Sequence, residues 1–360
     1  MMQNHSLRRG ATVGLLSVPL LLSGCGLFGG ESAAKLPIDP PQDVRTEDDG
    51  GIVRQSGQSS PDASNPADTA AVTPITVYVK DRGGYLAPVT VNTAAKNDEE
   101  AAIRALERMI EGGEAGALPD GFRGVLPAGT RIAGLTIDPE RRIATVDFAG
   151  SFTDYNPQDE RRIVEAVTWT LTGIGDVEGV VIRHDGEPLG EMPVDGFPLD
   201  GPLTRAMGIN LELAPGVAYG NSMPVTVYFS AISDDGDPYF VPITRLVERS
   251  EDPAIAALRE LIAGPARGAE LDGVMTSDVE AEAVTVDGDT ALIDLKDDMY
   301  EEGQPLPAEM LQAVLLSVSE NTGAEKVRIR VNGSTNIVDT DNRSWAEPVS
   351  RPEHVNALRT

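Results

Sequence analysis

Cysteine is nearly missing from this chain: Cys25 stands alone in 360 residues. One thiol makes neither an intrachain disulfide nor a thiolate metal cage, so no covalent or zinc framework supports the fold. Aromatic residues are only 4% of the total while hydrophobic residues reach 41%. The cores are therefore aliphatic, and the rings that sugar-binding sites favour are scarce. Basic side chains are few, 29 against 57 acidic ones, for a formal charge of −28. Such a surface repels nucleic acid, anionic headgroups and polyanionic wall polymers, which excludes a nucleic-acid partner and favours a protein partner or cations. The same charge also serves solubility. Histidine occurs three times, as His5, His184 and His354. No Gly-x-Ser-x-Gly elbow, Walker-type loop or His-Glu-x-x-His helix is present, so nothing in the sequence points to an enzyme.

Long apolar runs are lacking as well. The longest candidate, residues 10–22, is interrupted by Thr12, Ser17 and Pro19. At about 13 residues it is shorter than the about 20 needed to cross a bilayer. Arg8 and Arg9 precede it and Leu22-Ser23-Gly24-Cys25 ends it, the layout of a secretory signal with small residues before the cut. This motif resembles a bacterial lipobox. It implies removal of residues 1–24 and attachment of a diacylglyceryl lipid to the Cys25 thiol, holding the chain on the outer face of the cytoplasmic membrane. No other cofactor is expected. Residues 25–73 lack apolar periodicity and are rich in Gly, Ser, Pro, Asp and Gln, which reads as a disordered tether. As a flexible coil it reaches roughly 35–40 Å, and about 150 Å if fully extended.

Beyond the tether the chain repeats itself. Pro74-Ile-Thr-Val-Tyr78 returns as Pro224-Val-Thr-Val-Tyr228, both strand-like in their β-branched content. Each is followed by a second extended run (85–92 and 239–246) and then a helix. Asn97 or Asp98 caps the first helix, with Ile103, Leu106 and Ile110 along one face. Asp252 precedes Pro253 in the second, with Ile255, Leu258 and Ile262. Two more strands follow (131–137 and 143–148; 281–287 and 291–295), a second helix (158–172; 307–321) and a closing strand (179–183; 326–331). The order β-β-α-β-β-α-β predicts an α+β fold in tandem, each copy a mixed or antiparallel sheet with two helices. The match continues past the last strand, where Pro202-Leu-Thr-Arg205-Ala-Met-Gly-Ile-Asn210 answers Pro348-Val-Ser-Arg351-Pro-Glu-His-Val-Asn356. We expect both segments to be ordered and to pack on their own domains, with the arginine bonded to backbone carbonyls. The units are then 74–212 and 223–357, joined by a linker at 213–222.

Several residues recur in register and are read as structural. Asp147 and Asp294 sit inside apolar strands, where alternation turns them away from their neighbours. Tyr78 and Tyr228 pack in the core with hydroxyls at the sheet rim. Arg205 and Arg351 mark the repeated tail segments. His184 has no counterpart, since Val331 takes its place. Asp234-Asp-Gly-Asp237 lacks the ligand spacing of a calcium loop and reads as a turn. Trp345, isolated in a polar stretch, either covers the second domain's own core or is a candidate for contact with a partner protein.

Taken in order, the Cys25 lipobox, Ile38-Asp-Pro-Pro-Gln-Asp-Val44, the Pro-[Ile/Val]-Thr-Val-Tyr openings, Met207-Gly-Ile-Asn-Leu-Glu212 and the Arg351 ending resemble the GerM-like sporulation and germination lipoproteins, which carry two GerMN domains. The resemblance implies a non-enzymatic role in endospore formation, linked to assembly of the protein channel between mother cell and forespore. Its expected partners are the membrane, through the lipid anchor, and other envelope or channel proteins. In sporulating cells it implies a place on the mother-cell-derived membrane around the forespore. A different class of reading is an envelope lipoprotein that closes its two domains around a small ligand or cell-wall fragment.

Overall fold

Two copies of one α+β unit make up the computed structural model, which describes residues 71–358. The first opens with an antiparallel hairpin, β1 (Ala71–Lys80) and β2 (Leu86–Ala95), followed by α1 (Asp98–Arg108). Then come β3 (Thr130–Asp138), β4 (Ile143–Gly150), α2 (Glu160–Leu171), β5 (Gly179–His184) and the two-residue β6 (Glu187–Pro188). After β7 (Glu212–Leu213), the second unit repeats this order. It contains β8 (Ser222–Ile232), β9 (Pro238–Glu248), α3 (Pro253–Ala263), β10 (Val279–Asp287), β11 (Thr290–Asp297), α4 (Ala308–Thr322), β12 (Lys326–Val331) and β13 (Val349–Ser350). The β-β-α-β-β-α-β order expected from the sequence is present in both halves.

Within each unit the strands divide between two sheets. The opening hairpin stands apart from a four-stranded sheet, ordered β3-β4-β5-β6 in the first copy and β10-β11-β12-β13 in the second. β4 and β5 are parallel, as are β11 and β12, because α2 and α4 return the chain in each case. A β-bulge falls at Ile132/Gly134 and again at Ala281/Ala283, so the repeat extends to a local irregularity of the backbone.

Local chemistry fixes the helix starts. The Asn97 side chain accepts the Glu100 N–H at 2.8 Å, and Asp252 accepts the Ile255 N–H at 3.0 Å ahead of Pro253. The buried face of α1 is Ala101, Ala102, Ala105 and Leu106; Ile103 is only half-buried, and Ile110 lies past the helix end. Small alanines let the helix approach the hairpin closely, which moves the larger isoleucines to its margins. In α3 the inward residues are Ile255, Leu258 and Leu261, with Ile262 half-buried. α2 and α4 are buried on nearly every side, packed on β1 and β8 respectively.

Three expectations need correction. Residues 213–222 are not wholly a linker. β7 pairs in parallel with β9, Glu212 opposite Arg245 and Leu213 opposite Leu246, and Ser222 already belongs to β8. The end of the first unit is thus an edge strand of the second unit's hairpin sheet. The repeated tail segments are ordered but do not confine themselves to their own domains, as described below. Trp345 is not available to a partner: it is 1% exposed and its Nε1–H donates to Asp339 Oδ2 at 2.8 Å. Asp339 also accepts the N–H groups of Asp341 and Arg343, so the polar stretch around Trp345 folds onto a buried carboxylate. Glu160 does the same in the first unit, accepting from Tyr155 Oη and from the N–H groups of Val194, Asp195 and Phe197.

Candidate functional site

Residues singled out by the repeat meet where the two units touch. β1 and β8 deliver Tyr78 and Tyr228 to equivalent places: the Tyr78 N–H donates to Thr170 Oγ1 at 2.9 Å and the Tyr228 N–H to Ser317 Oγ at 3.0 Å. These bonds tie each opening strand to its covering helix and set the correspondence between α2 and α4. Thr170 answers Ser317, Thr172 answers Ser319, and Gly173 answers Glu320. Both tyrosines are buried, at 3% and 0% exposure. Tyr78 meets Trp169 edge-on with ring centroids 5.5 Å apart.

The tail arginines converge on one carboxylate. Arg351 Nη2 donates to Glu320 Oε2 and to Tyr228 Oη, the latter at 3.1 Å. Tyr228 Oη donates to Glu320 Oε2 at 3.0 Å. Arg205, from the other unit, reaches both Glu320 oxygens at 3.4 Å and Thr172 Oγ1 at 3.0 Å. Its guanidinium lies 4.6 Å from the Trp169 ring centroid. Burial works against the Glu320 charge, but the fields of Arg351 and Arg205, with hydrogen bonds from Arg351 and Tyr228, hold its carboxyl below the ordinary range. Burial likewise opposes the two guanidinium charges, and the tyrosine and Glu320 oxygens around them outweigh it. Burial raises the hydroxyl pKa of both tyrosines. A cleft of about 700 Å³ opens beside this cluster.

Asn210 and Asn356, the last residues of the repeated tail pattern, form a second symmetric pair. Asn210 Oδ1 accepts the Leu86 N–H at 2.9 Å, and its Nδ2 donates to Leu86 O and Pro242 O, both at 2.8 Å. Asn356 Oδ1 accepts the Phe240 N–H at 2.9 Å, and its Nδ2 donates to Phe240 O and Pro88 O, both at 2.8 Å. Each carboxamide therefore binds β2 and β9 together, one strand from each unit. The flanking backbone adds Thr90 N–H to Asn356 O and Thr244 N–H to Ile209 O. Gly208, at φ +81°, allows the first tail to pass this closely: a Cβ there would sit 2.8 Å from Thr244 Cγ2. Trp169 Nε1 donates to the carbonyl of the same glycine at 3.0 Å.

Less symmetric contacts surround these. Tyr239 Oη donates to the buried Asp81 carboxylate at 3.0 Å, and its ring packs edge-on against Phe122. Burial is the largest influence on Asp81 and raises its pKa despite these bonds. Arg82 pairs with Asp234. Arg245, 5% exposed, is held between Glu212 Oε1 at 2.6 Å and Glu260 Oε2 at 2.9 Å. His354 Nδ1 lies 3.3 Å from Thr76 Oγ1.

Asp147, Asp294 and His184 lie apart from the interface. Asp147 Oδ1 accepts the Gly186 N–H at 3.0 Å, and Asp294 forms a two-pronged pair with Arg330. His184 packs beside Phe152. Asp234–Asp237 form the β8–β9 turn, closed by Ser233 N–H to Asp237 O at 2.9 Å. The lipobox residues Leu22, Ser23, Gly24 and Cys25 lie outside the described residues. Sequence reasoning missed Glu320, Asp81 and Arg245 as interface residues; none recurs in the other copy, so comparing the repeats could not reveal them. Asn210 and Asn356 were visible as the shared end of the tail pattern. Among the described residues no group of three potential metal ligands occurs, and no helix is long and apolar enough to cross a membrane.

The chemistry of this interface is that of a lock: its donors and acceptors are used to hold one unit against the other. Known proteins share the tandem fold. The spore germination protein GerM of Bacillus subtilis strain 168 is 35% identical over 359 residues, covering 95% of each chain. The solved tandem GerMN domains of the sporulation protein GerM from Bacillus subtilis superpose with a TM-score of 0.74 at 33% identity, over 79% of this chain and all of that one. The pattern of the Germane family, described as sporulation and spore germination, matches residues 76–190 and 226–337, one stretch in each unit. The chain therefore belongs to the Germane family, with two GerMN domains in tandem.

Proposed function

We propose that this protein is a lipid-anchored envelope protein that acts without catalysis in endospore formation or germination. In this reading it assembles or localises the channel complex joining mother cell and forespore. The observation that carries the reading is the interface lock. Arg205 and the two asparagines, all from the duplicated tail pattern, bond across the interface, while Arg351 and Tyr228 hold the shared Glu320 in place from within the second unit. A protein whose repeated polar side chains maintain a rigid two-domain surface is suited to present that surface to partners. The lipid on Cys25 would hold it at the outer face of the cytoplasmic membrane, and after engulfment on the mother-cell-derived membrane around the forespore. Its strong negative charge would steer a basic envelope partner and disfavour nucleic acid.

The test is the position of a fluorescently tagged copy in its native host during starvation, together with the spore count of a deletion strain. Enrichment around the engulfed forespore and a loss of viable spores are expected. An even envelope signal with normal sporulation would overturn the proposal.

A further inference from the structure

The two halves of the arginine cluster are not equally furnished. In the second unit Arg351 faces a carboxylate from its own helix, Glu320. The equivalent position on α2 is Gly173, which lines the same cleft without a side chain. Arg205 must therefore borrow Glu320 across the interface, at 3.4 Å to each oxygen. Charge-assisted bonds between guanidinium and carboxylate ordinarily lie near 2.7–2.9 Å, so the Arg205 side chain, although placed by Thr172 and Trp169, has no close carboxylate of its own. A side chain at position 173 would begin 3.6 Å from Arg205 Nη2.

A second asymmetry lies in the hydroxyls. Thr172 Oγ1 accepts from Arg205 Nε, whereas its counterpart Ser319 Oγ is buried in the wall of the cleft with no hydrogen-bond partner among the described residues. Ser319 is 2% exposed, and an unpaired buried hydroxyl is costly to leave so. Two guanidinium groups, 29% and 23% exposed, thus share one carboxylate, and an unpaired hydroxyl lines the same cleft.

We propose that this interdomain cleft is a receptor for a carboxylate, which takes the place over Gly173 that Glu320 occupies in the other half. It pairs with Arg205, so that each of the two arginines has a carboxylate of its own. The exposed Glu325 and Glu353 at the rim select for a singly charged group and against a doubly charged phosphate. The carboxylate comes either from a peptide C-terminus or from a free small acid. The inference is independent of the scaffold reading, because it concerns occupancy of the lock and not its role in the cell.

The test is calorimetric titration of the full chain with three probes at matched ionic strength: acetate, N-acetyl-alanyl-alanine and the C-terminal amide of that peptide. Saturable binding of the acids but not the amide is expected. A peptide that binds more tightly than acetate and competes with it identifies a peptide terminus as the source, and equal affinities identify a free acid. Gly173→Glu supplies the missing carboxylate from within and should weaken acid binding at least about ten-fold, or about 1.4 kcal/mol. Ser319→Ala, which removes only an unbonded hydroxyl, should weaken it several-fold without lowering the thermal midpoint. Amide binding equal to the acid, unchanged affinity in Gly173→Glu, or no binding of either acid would each overturn the proposal.

Discussion

Glu320 is the residue on which the interface charge depends, because it faces Arg351 and Arg205 while only 11% of its side chain is exposed. Removing one member of a buried ion pair strands the others in a poorly solvated site, typically at about 3–5 kcal/mol. Glu320→Gln keeps the shape and some hydrogen bonding but leaves two guanidinium charges unmatched. We expect a loss of about 3 kcal/mol at neutral pH, read as a lower urea midpoint. The pH dependence follows from the direction of the shift. Opposed by burial but favoured more strongly by Arg351 and Arg205, the Glu320 carboxyl titrates below its ordinary value of 4.5. Its contribution is present above that value and is lost as pH falls through the folded-state pKa. The gap between wild type and variant should therefore narrow in acid; a gap of constant size from neutral pH to about pH 3 would place the stabilisation elsewhere.

At the scale of elements, the repeated tail segments join the two halves. Each ends in an asparagine whose three hydrogen bonds satisfy backbone groups of β2 and β9 together. Asn356→Asp changes the side chain by one group, yet it replaces a donor with an acceptor 2.8 Å from two carbonyl oxygens at a site 4% exposed. Asn356→Ala leaves those carbonyls unpaired, at about 1–3 kcal/mol, whereas the aspartate adds repulsion and desolvation of its own. The aspartate should thus be the more destabilising in paired denaturation curves, and equal midpoints would contradict this account. This element also shows how far the sequence could be read. Strand and helix order was legible from β-branched runs, capping residues and duplication, since each leaves a local pattern. The tail pattern Pro…Arg…Asn was legible as a repeat, but its destination was not. Strand periodicity does not say which hairpin a loop will cross, and we expected each tail to stay on its own domain. Glu320 left no trace because its counterpart is Gly173, and the polar flanks of Trp345 left two places open for it, the core of its own domain or a partner's surface. Only the tertiary path reveals that Asp339 draws that segment inward.

For the whole molecule, these contacts decide whether two domains unfold as two or as one. Tandem domains with a small, wet interface move and melt separately. Here β7 adds to the sheet of the second unit, two carboxamides bind strands from both units, and one carboxylate serves arginines from both. Unfolding the second unit alone would strand Arg205 without Glu320, and unfolding either unit would leave buried carbonyls of β2 or β9 without their carboxamide, raising the free energy of any half-folded state. We expect a single calorimetric transition in which the van't Hoff and calorimetric enthalpies agree. The double variant Glu320→Gln with Asn210→Ala removes a charge shared by both units and one carboxamide bridge, while leaving the main aliphatic cores intact. It should split the transition into two, with the calorimetric enthalpy exceeding the van't Hoff value. Two transitions already present in the wild type would mean that the units are only neighbours, and that the rigid surface required for a scaffold must come from a partner.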